Sequence, residues 1–74
     1  MKHEEFDDIP ISAITHVIDE YVHSERDRRI MKLHLCDGYS AFEITYRILK
    51  EEISLKTVKR VIAKHEPRIF RHLS

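Results

Sequence analysis

Four serines, Ser12, Ser24, Ser40 and Ser54, each stand just before a segment whose apolar residues recur at three- and four-residue spacing. A serine in that position accepts a hydrogen bond from a free N–H of the first helical turn. The spacing itself places the apolar side chains on one face of a helix. After Ser12 come Ile14, Val17, Ile18, Tyr21 and Val22, which predict a helix over 13–23. After Ser24 come Ile30, Met31, Leu33, Leu35 and Cys36, apolar on more than one side, which predict a central helix over 25–36. Asp27 three residues after Ser24 and Glu43 three residues after Ser40 resemble capping boxes. The third helix, with Ile44, Ile48 and Leu49, is expected to end near Lys50, because Glu51 and Glu52 suit a helix start better than a helix end. Val58, Val61, Ile62 and His65 predict a fourth over 55–66, after which Pro67 either kinks that helix or opens a short fifth one.

Composition agrees with this reading. One glycine and two prolines in 74 residues leave too few turn formers for an all-β chain. The glycine, Gly38, sits where the second helix should end in a left-handed residue. The expected fold is all-α: a compact bundle of four to five helices, with residues 1–11 a flexible acidic arm and 12–74 one helical domain. A single cysteine excludes an internal disulfide and any zinc site built on paired cysteines. No apolar run approaches the ~18 residues of a membrane span, and Met1-Lys2-His3-Glu4-Glu5 lacks the pattern of a signal peptide. The expectation is a cytoplasmic protein.

Thirteen cationic and thirteen anionic side chains cancel, but they are not evenly spread. Residues 1–23 carry −5, with Lys2 against Glu4, Glu5, Asp7, Asp8, Asp19 and Glu20. Residues 24–46 are neutral and residues 47–74 carry +5. Such asymmetry points to a polyanionic partner at the basic end.

That end also contains the most informative pattern. A short helix, a connection and a second helix with Lys56, Thr57, Lys59, Arg60, Ala63 and Lys64 on its outer face make a helix-turn-helix arrangement. A helix enters the major groove and reads base edges with residues near its N-terminus, while flanking cations meet phosphates. The run Ser24-Glu25-Arg26-Asp27-Arg28-Arg29-Ile30-Met31-Lys32-Leu33-His34-Leu35, then Asp37-Gly38-Tyr39-Ser40, then Ile53-Ser54-Leu55-Lys56-Thr57-Val58-Lys59-Arg60-Val61-Ile62 resembles the DNA-binding region four of bacterial sigma factors. It is most similar to the small sigma-like helix-turn-helix proteins of prophages and mobile elements, over roughly residues 15–73. The resemblance implies double-stranded DNA as partner, no cofactor and no catalysis. It implies Ser54 as cap and phosphate contact, Lys56, Thr57 and Arg60 facing bases, Lys59 and Lys64 facing the backbone, and Val58 and Ile62 in the core. The chain departs from the family pattern between the two helices. Thr45 stands where a small residue is usual, Leu49 where a glycine or short turn is usual, and Ser54 falls fourteen positions after Ser40 rather than eleven. Either the third helix is a turn longer or the connection is a loop.

A second reading belongs to another class. On the same scaffold the chain would be a protein-binding inhibitor or adaptor of a phage or mobile element, acting on RNA polymerase or a host nuclease, as an anti-CRISPR protein does. Its contact surface would be Glu4, Glu5, Asp7, Asp8, Asp19 and Glu20. A homodimer is expected if DNA is the ligand, with Ile69, Phe70 and Leu73 as the contact. The six histidines show no metal-ligand spacing, Cys36 reads as a buried inert thiol, and no nucleophile–base or paired-carboxylate constellation stands out, so neither a metal site nor an enzyme is expected.

Overall fold

The computed structural model describes residues 9–73. Glu4, Glu5, Asp7 and Asp8 lie outside the described residues, as does Ser74. The described chain is helical and contains no strand. Helix α1 is Ile11–Tyr21. Helix α2 is Glu25–Met31 and runs on as a wide turn, Lys32–Cys36. Helix α3 is Ala41–Glu43 with a second wide turn, Ile44–Ile48. Helix α4 is Leu55–Leu73. No helix among the described residues is long and apolar enough to cross a membrane.

The capping serines behave as their chemistry requires, with one exception. Ser24, Ser40 and Ser54 accept from the N–H of Asp27, Glu43 and Thr57 at 3.3, 3.1 and 3.2 Å. Glu43 also reaches back to the Ser40 N–H at 2.9 Å, completing the box. Those bonds hold the Glu43 carboxyl below the usual carboxylate range against a small upward push from burial. Ser12 does not cap. Pro10 occupies the N-cap position of α1, its carbonyl accepting from Ala13 and Ile14, and the helix begins two residues earlier than the apolar spacing alone suggested. The proline ring fixes φ near a helical value, here −65°, so the chain enters the helix without a side-chain cap.

Pro67 opens no fifth helix; α4 stays helical through it to Leu73. A proline inside a helix removes one backbone bond at a cost of about 3 kcal/mol. Val58, Val61, Ile62 and His65 before it and Ile69 after it are buried on one stripe, so a break would pull Ile69 out of the core. Helix α4 packs on α1, α2 and α3 and is the spine of the molecule. Ile18, Ile30, Met31, Ile44 and Val58 are completely inaccessible at its centre.

The α3–α4 connection is a loop, residues 49–54, not an added helical turn. Thr45 is buried, as expected of the position where helices approach closely; its hydroxyl donates to the Ala41 carbonyl at 2.9 Å, and its own carbonyl accepts from the Glu51 N–H at 2.8 Å. Leu49 is right-handed and buried, and the left-handed residues follow at Lys50 (φ 51°) and Glu51 (φ 66°). The helices α2 and α3 end the same way. Asp37 bonds back five residues to Lys32 at 3.1 Å and Leu49 five residues to Ile44 at 2.8 Å. Gly38 supplies the positive φ after the first, at 81°, whereas side chains are forced into it after the second.

Candidate nucleic-acid interface

Helix α4 begins at the edge of that loop. Ser54 accepts from the Thr57 N–H and donates to the Thr57 hydroxyl at 3.0 Å, so the two residues are coupled before either meets a ligand. Thr57 is half-buried, while Lys56, Lys59, Arg60 and Lys64 are exposed. The cationic face is longer than the sequence reading made it. Positions 56, 60, 64, 68 and 71 follow one another every three or four residues, so Lys56, Arg60, Lys64, Arg68 and Arg71 form one exposed stripe. At 1.5 Å per residue it extends about 22 Å along the helix. Among the described residues no carboxylate lies within 4.0 Å of any of these five cations or of Lys59. Arg68 and Arg71 lie beyond the 55–66 helix that the apolar spacing predicts; the four-residue step from Lys64 to Arg68 is the signal that joins them to it.

Several cations elsewhere are engaged, though Arg29 and Lys50 are as free of carboxylates among the described residues as the α4 stripe. Arg28 donates to the Val22 carbonyl at 2.6 Å and to the His23 carbonyl at 3.4 Å, covering the C-terminal end of α1. Lys32 meets Asp19 at 2.8 Å. That hydrogen bond, followed by the charges of Lys32, Arg28 and His16, holds the Asp19 carboxyl below its ordinary value despite an opposing push from burial. Glu20 meets His16 at 3.0 Å. The two acidic residues of α1 therefore both have partners within the chain, Asp19 the Lys32 ammonium and Glu20 the His16 ring.

The C-terminal apolar patch divides. Ile69 is 1% exposed and belongs to the core, while Phe70 and Leu73 are half-buried against it. On α3, Phe42 and Tyr46 are both exposed and their ring centroids lie 4.6 Å apart, tilted by 47°. Cys36 is half-buried, 3.5 Å from the Thr15 hydroxyl.

Two arrangements had no sequence signal of their own. Asp27, read as a capping residue, and His65, read as part of an apolar stripe, form a buried pair between α2 and α4. Tyr21, read as core, is exposed and stacks on His72, with centroids 3.7 Å apart and planes within 6°. Each pair joins residues far apart in the chain, which periodicity within one helix does not reveal.

The fold and this surface define the chain as an all-α protein with a continuous cationic helix face. Comparison with known protein families, curated proteins and solved structures found no match to it.

Proposed function

We propose that the protein is a non-catalytic, sequence-specific DNA-binding regulator of transcription, with α3 and α4 acting as a sigma-like helix-turn-helix. One observation carries this reading. The first three turns of α4 present Lys56, Lys59, Arg60 and Lys64 to solvent without carboxylate partners among the described residues, next to the Ser54-capped start of the helix. Free cations beside a helix N-terminus match a phosphate backbone, and side chains in the first turns are the ones that reach base edges. Lys56, Thr57 and Arg60 would face bases; Ser54, Lys59 and Lys64 would hold phosphates. A single such helix offers few base contacts, so the active species would be a homodimer on two half-sites, using what Phe70 and Leu73 leave exposed. The test is an electrophoretic shift on duplex DNA with Lys56→Ala and Arg60→Ala. Each should weaken binding by about 1–3 kcal/mol. Equal affinity of wild type and both variants at about 0.15 M salt removes these residues from the interface, and a monomer by sedimentation both free and on DNA removes the dimer.

A second reading draws on α3. Phe42 and Tyr46 form an exposed ring pair on the helix that a helix-turn-helix would lay across the DNA backbone. Exposed aromatic side chains are enriched at protein interfaces. They fit a protein-binding inhibitor or adaptor acting on RNA polymerase or a host nuclease, as anti-CRISPR proteins do. Phe42→Ala would then abolish capture of purified RNA polymerase or nuclease and leave duplex binding intact.

A further inference from the structure

The far end of the cationic stripe opens into a groove that the DNA reading does not use. It is lined by Tyr21 and His23, from the end of α1 and the connection after it, and by Arg68, Arg71 and His72 on the last turns of α4, with a volume of about 420 Å³. Among the described residues no carboxylate lines it. Arg68 and Arg71 are three residues apart and so project side by side, both exposed and without a carboxylate partner among the described residues. Two guanidinium forks that close suit a phosphate, which accepts their donors in pairs.

Two features prepare the groove for more than a bare anion. Tyr21 and His72 are stacked at 3.7 Å and nearly parallel, forming a two-ring platform at the groove wall whose tyrosine is 47% exposed. Flat rings of this kind accept a nucleobase on their free face regardless of its identity. Arg28 donates to the Val22 and His23 carbonyls just after α1, so these two do not face the groove unpaired. The volume lies in the range of small-molecule sites.

We propose that this groove is a nucleotide subsite, in which Arg68 and Arg71 hold a phosphate and the Tyr21–His72 stack carries the attached base. The nucleotide is either free or a unit of a strand; the chemistry recognised is the same. The subsite is separate from the base-reading turns of α4 and stands whether or not those turns read DNA.

The test is calorimetric titration of the full chain with adenosine 5′-monophosphate, inorganic phosphate, adenosine and a 15-nucleotide single strand, with thermal melting of each variant as a check on folding. The mononucleotide should bind more tightly than phosphate or adenosine. Arg68→Gln with Arg71→Gln should raise its dissociation constant about tenfold or more, and Arg68→Lys with Arg71→Lys, which keep the charge but lose the fork, should recover only part of that. Tyr21→Leu should weaken the mononucleotide and leave phosphate unchanged. Lys56→Ala with Arg60→Ala should leave mononucleotide binding as it was, which separates this site from the DNA reading. If the single strand weakens in parallel with the mononucleotide in the glutamine variant, the ligand is a strand; if only the mononucleotide weakens, it is a free nucleotide. A mononucleotide that binds no better than phosphate overturns the proposal. So does a glutamine variant with unchanged affinity, or one that loses only stability, which leaves the arginines as complements to the α4 helix end.

Discussion

His65 on α4 donates from Nε2 to Oδ2 of Asp27 on α2 over 2.8 Å, and both side chains are buried. The other carboxylate oxygen accepts from Arg26 Nε at 3.0 Å, so the Asp27 charge is met on both sides. The Asp27 N–H is meanwhile held by Ser24. One residue thus fixes the start of α2 with its backbone and locks α2 to α4 with its side chain.

Removing one member of a buried pair strands the other in a low-dielectric site. Asp27→Ala should therefore cost about 3 kcal/mol or more by urea denaturation, a large share of the stability of a domain this small. Replacing both residues, Asp27→Leu with His65→Leu, should recover most of that loss, because an apolar pair strands nothing. If the single variant costs under about 1 kcal/mol, the pair contributes no more than a surface ion pair.

The same carboxyl sets a pH dependence. Burial pushes the Asp27 pKa up, but the hydrogen bonds from His65 and Arg26 and their positive charges outweigh it, so the net value is below 3.8. A carboxylate depressed by folding contributes stability that is complete above its unfolded pKa and is lost as pH falls through its folded one. Between pH 3.8 and the acid limit, wild type should lose more stability than Asp27→Ala. Parallel acid limbs for the two proteins would show that Asp27 titrates no differently folded and unfolded.

Much of the helical layout is legible in the sequence, because it depends on local chemistry. Ser24, Ser40 and Ser54 cap the helices they precede, and the stripe from Val58 to His65 is buried. What escaped depends on neighbours that override one residue's own preference, near in the chain or far from it. Ser12 is a suitable cap by type, yet Pro10 already enters α1 at a helical φ. Pro67 is a helix breaker by type, yet burial of Ile69 holds α4 together across it. Of the two outcomes open at Pro67, the fifth helix does not form, and the continuous α4 brings Arg68 and Arg71 onto its cationic stripe.

Backbone strain distinguishes the two similar helix endings. Gly38→Ala should cost about 1 kcal/mol. A Cβ there would meet nothing within 4 Å, so the loss is due to φ 81° alone. Glu51→Gly should do the opposite, relieving φ 66° and raising stability. The gain of about 0.5–1 kcal/mol should appear as a rise of several degrees in Tm for a domain of this size. A lower Tm for Glu51→Gly would show that the Glu51 side chain contributes more than its backbone costs.

If α4 lies against a phosphate backbone, its cations should displace counterions. The logarithm of the duplex affinity should fall linearly with the logarithm of salt concentration, with a slope of about −0.9 per phosphate neutralised. Lys64→Ala should reduce the magnitude of that slope by about 0.9 while weakening all duplex sequences alike. Loss of affinity for one sequence only, at unchanged slope, would place Lys64 against a base instead.

The acidic N-terminal segment can be examined by deletion, and the structure says where to cut. Ile9 packs against the core and Pro10 starts α1, so a truncation should remove residues 1–8 only. It takes away Lys2 with Glu4, Glu5, Asp7 and Asp8 and leaves the remaining chain net positive. Asp19 and Glu20 stay behind, already beside Lys32 and His16. Where the segment only keeps duplex DNA on the α4 face, its loss should tighten non-specific binding at low salt, and the gain should shrink as the Debye length falls toward about 8 Å at physiological ionic strength. Where the segment is itself the contact for a basic protein, the truncated chain should lose that partner while its duplex affinity stays within about threefold, roughly 0.7 kcal/mol. Unchanged behaviour in both assays would leave the segment with neither role and place the whole of the binding surface on the described helices.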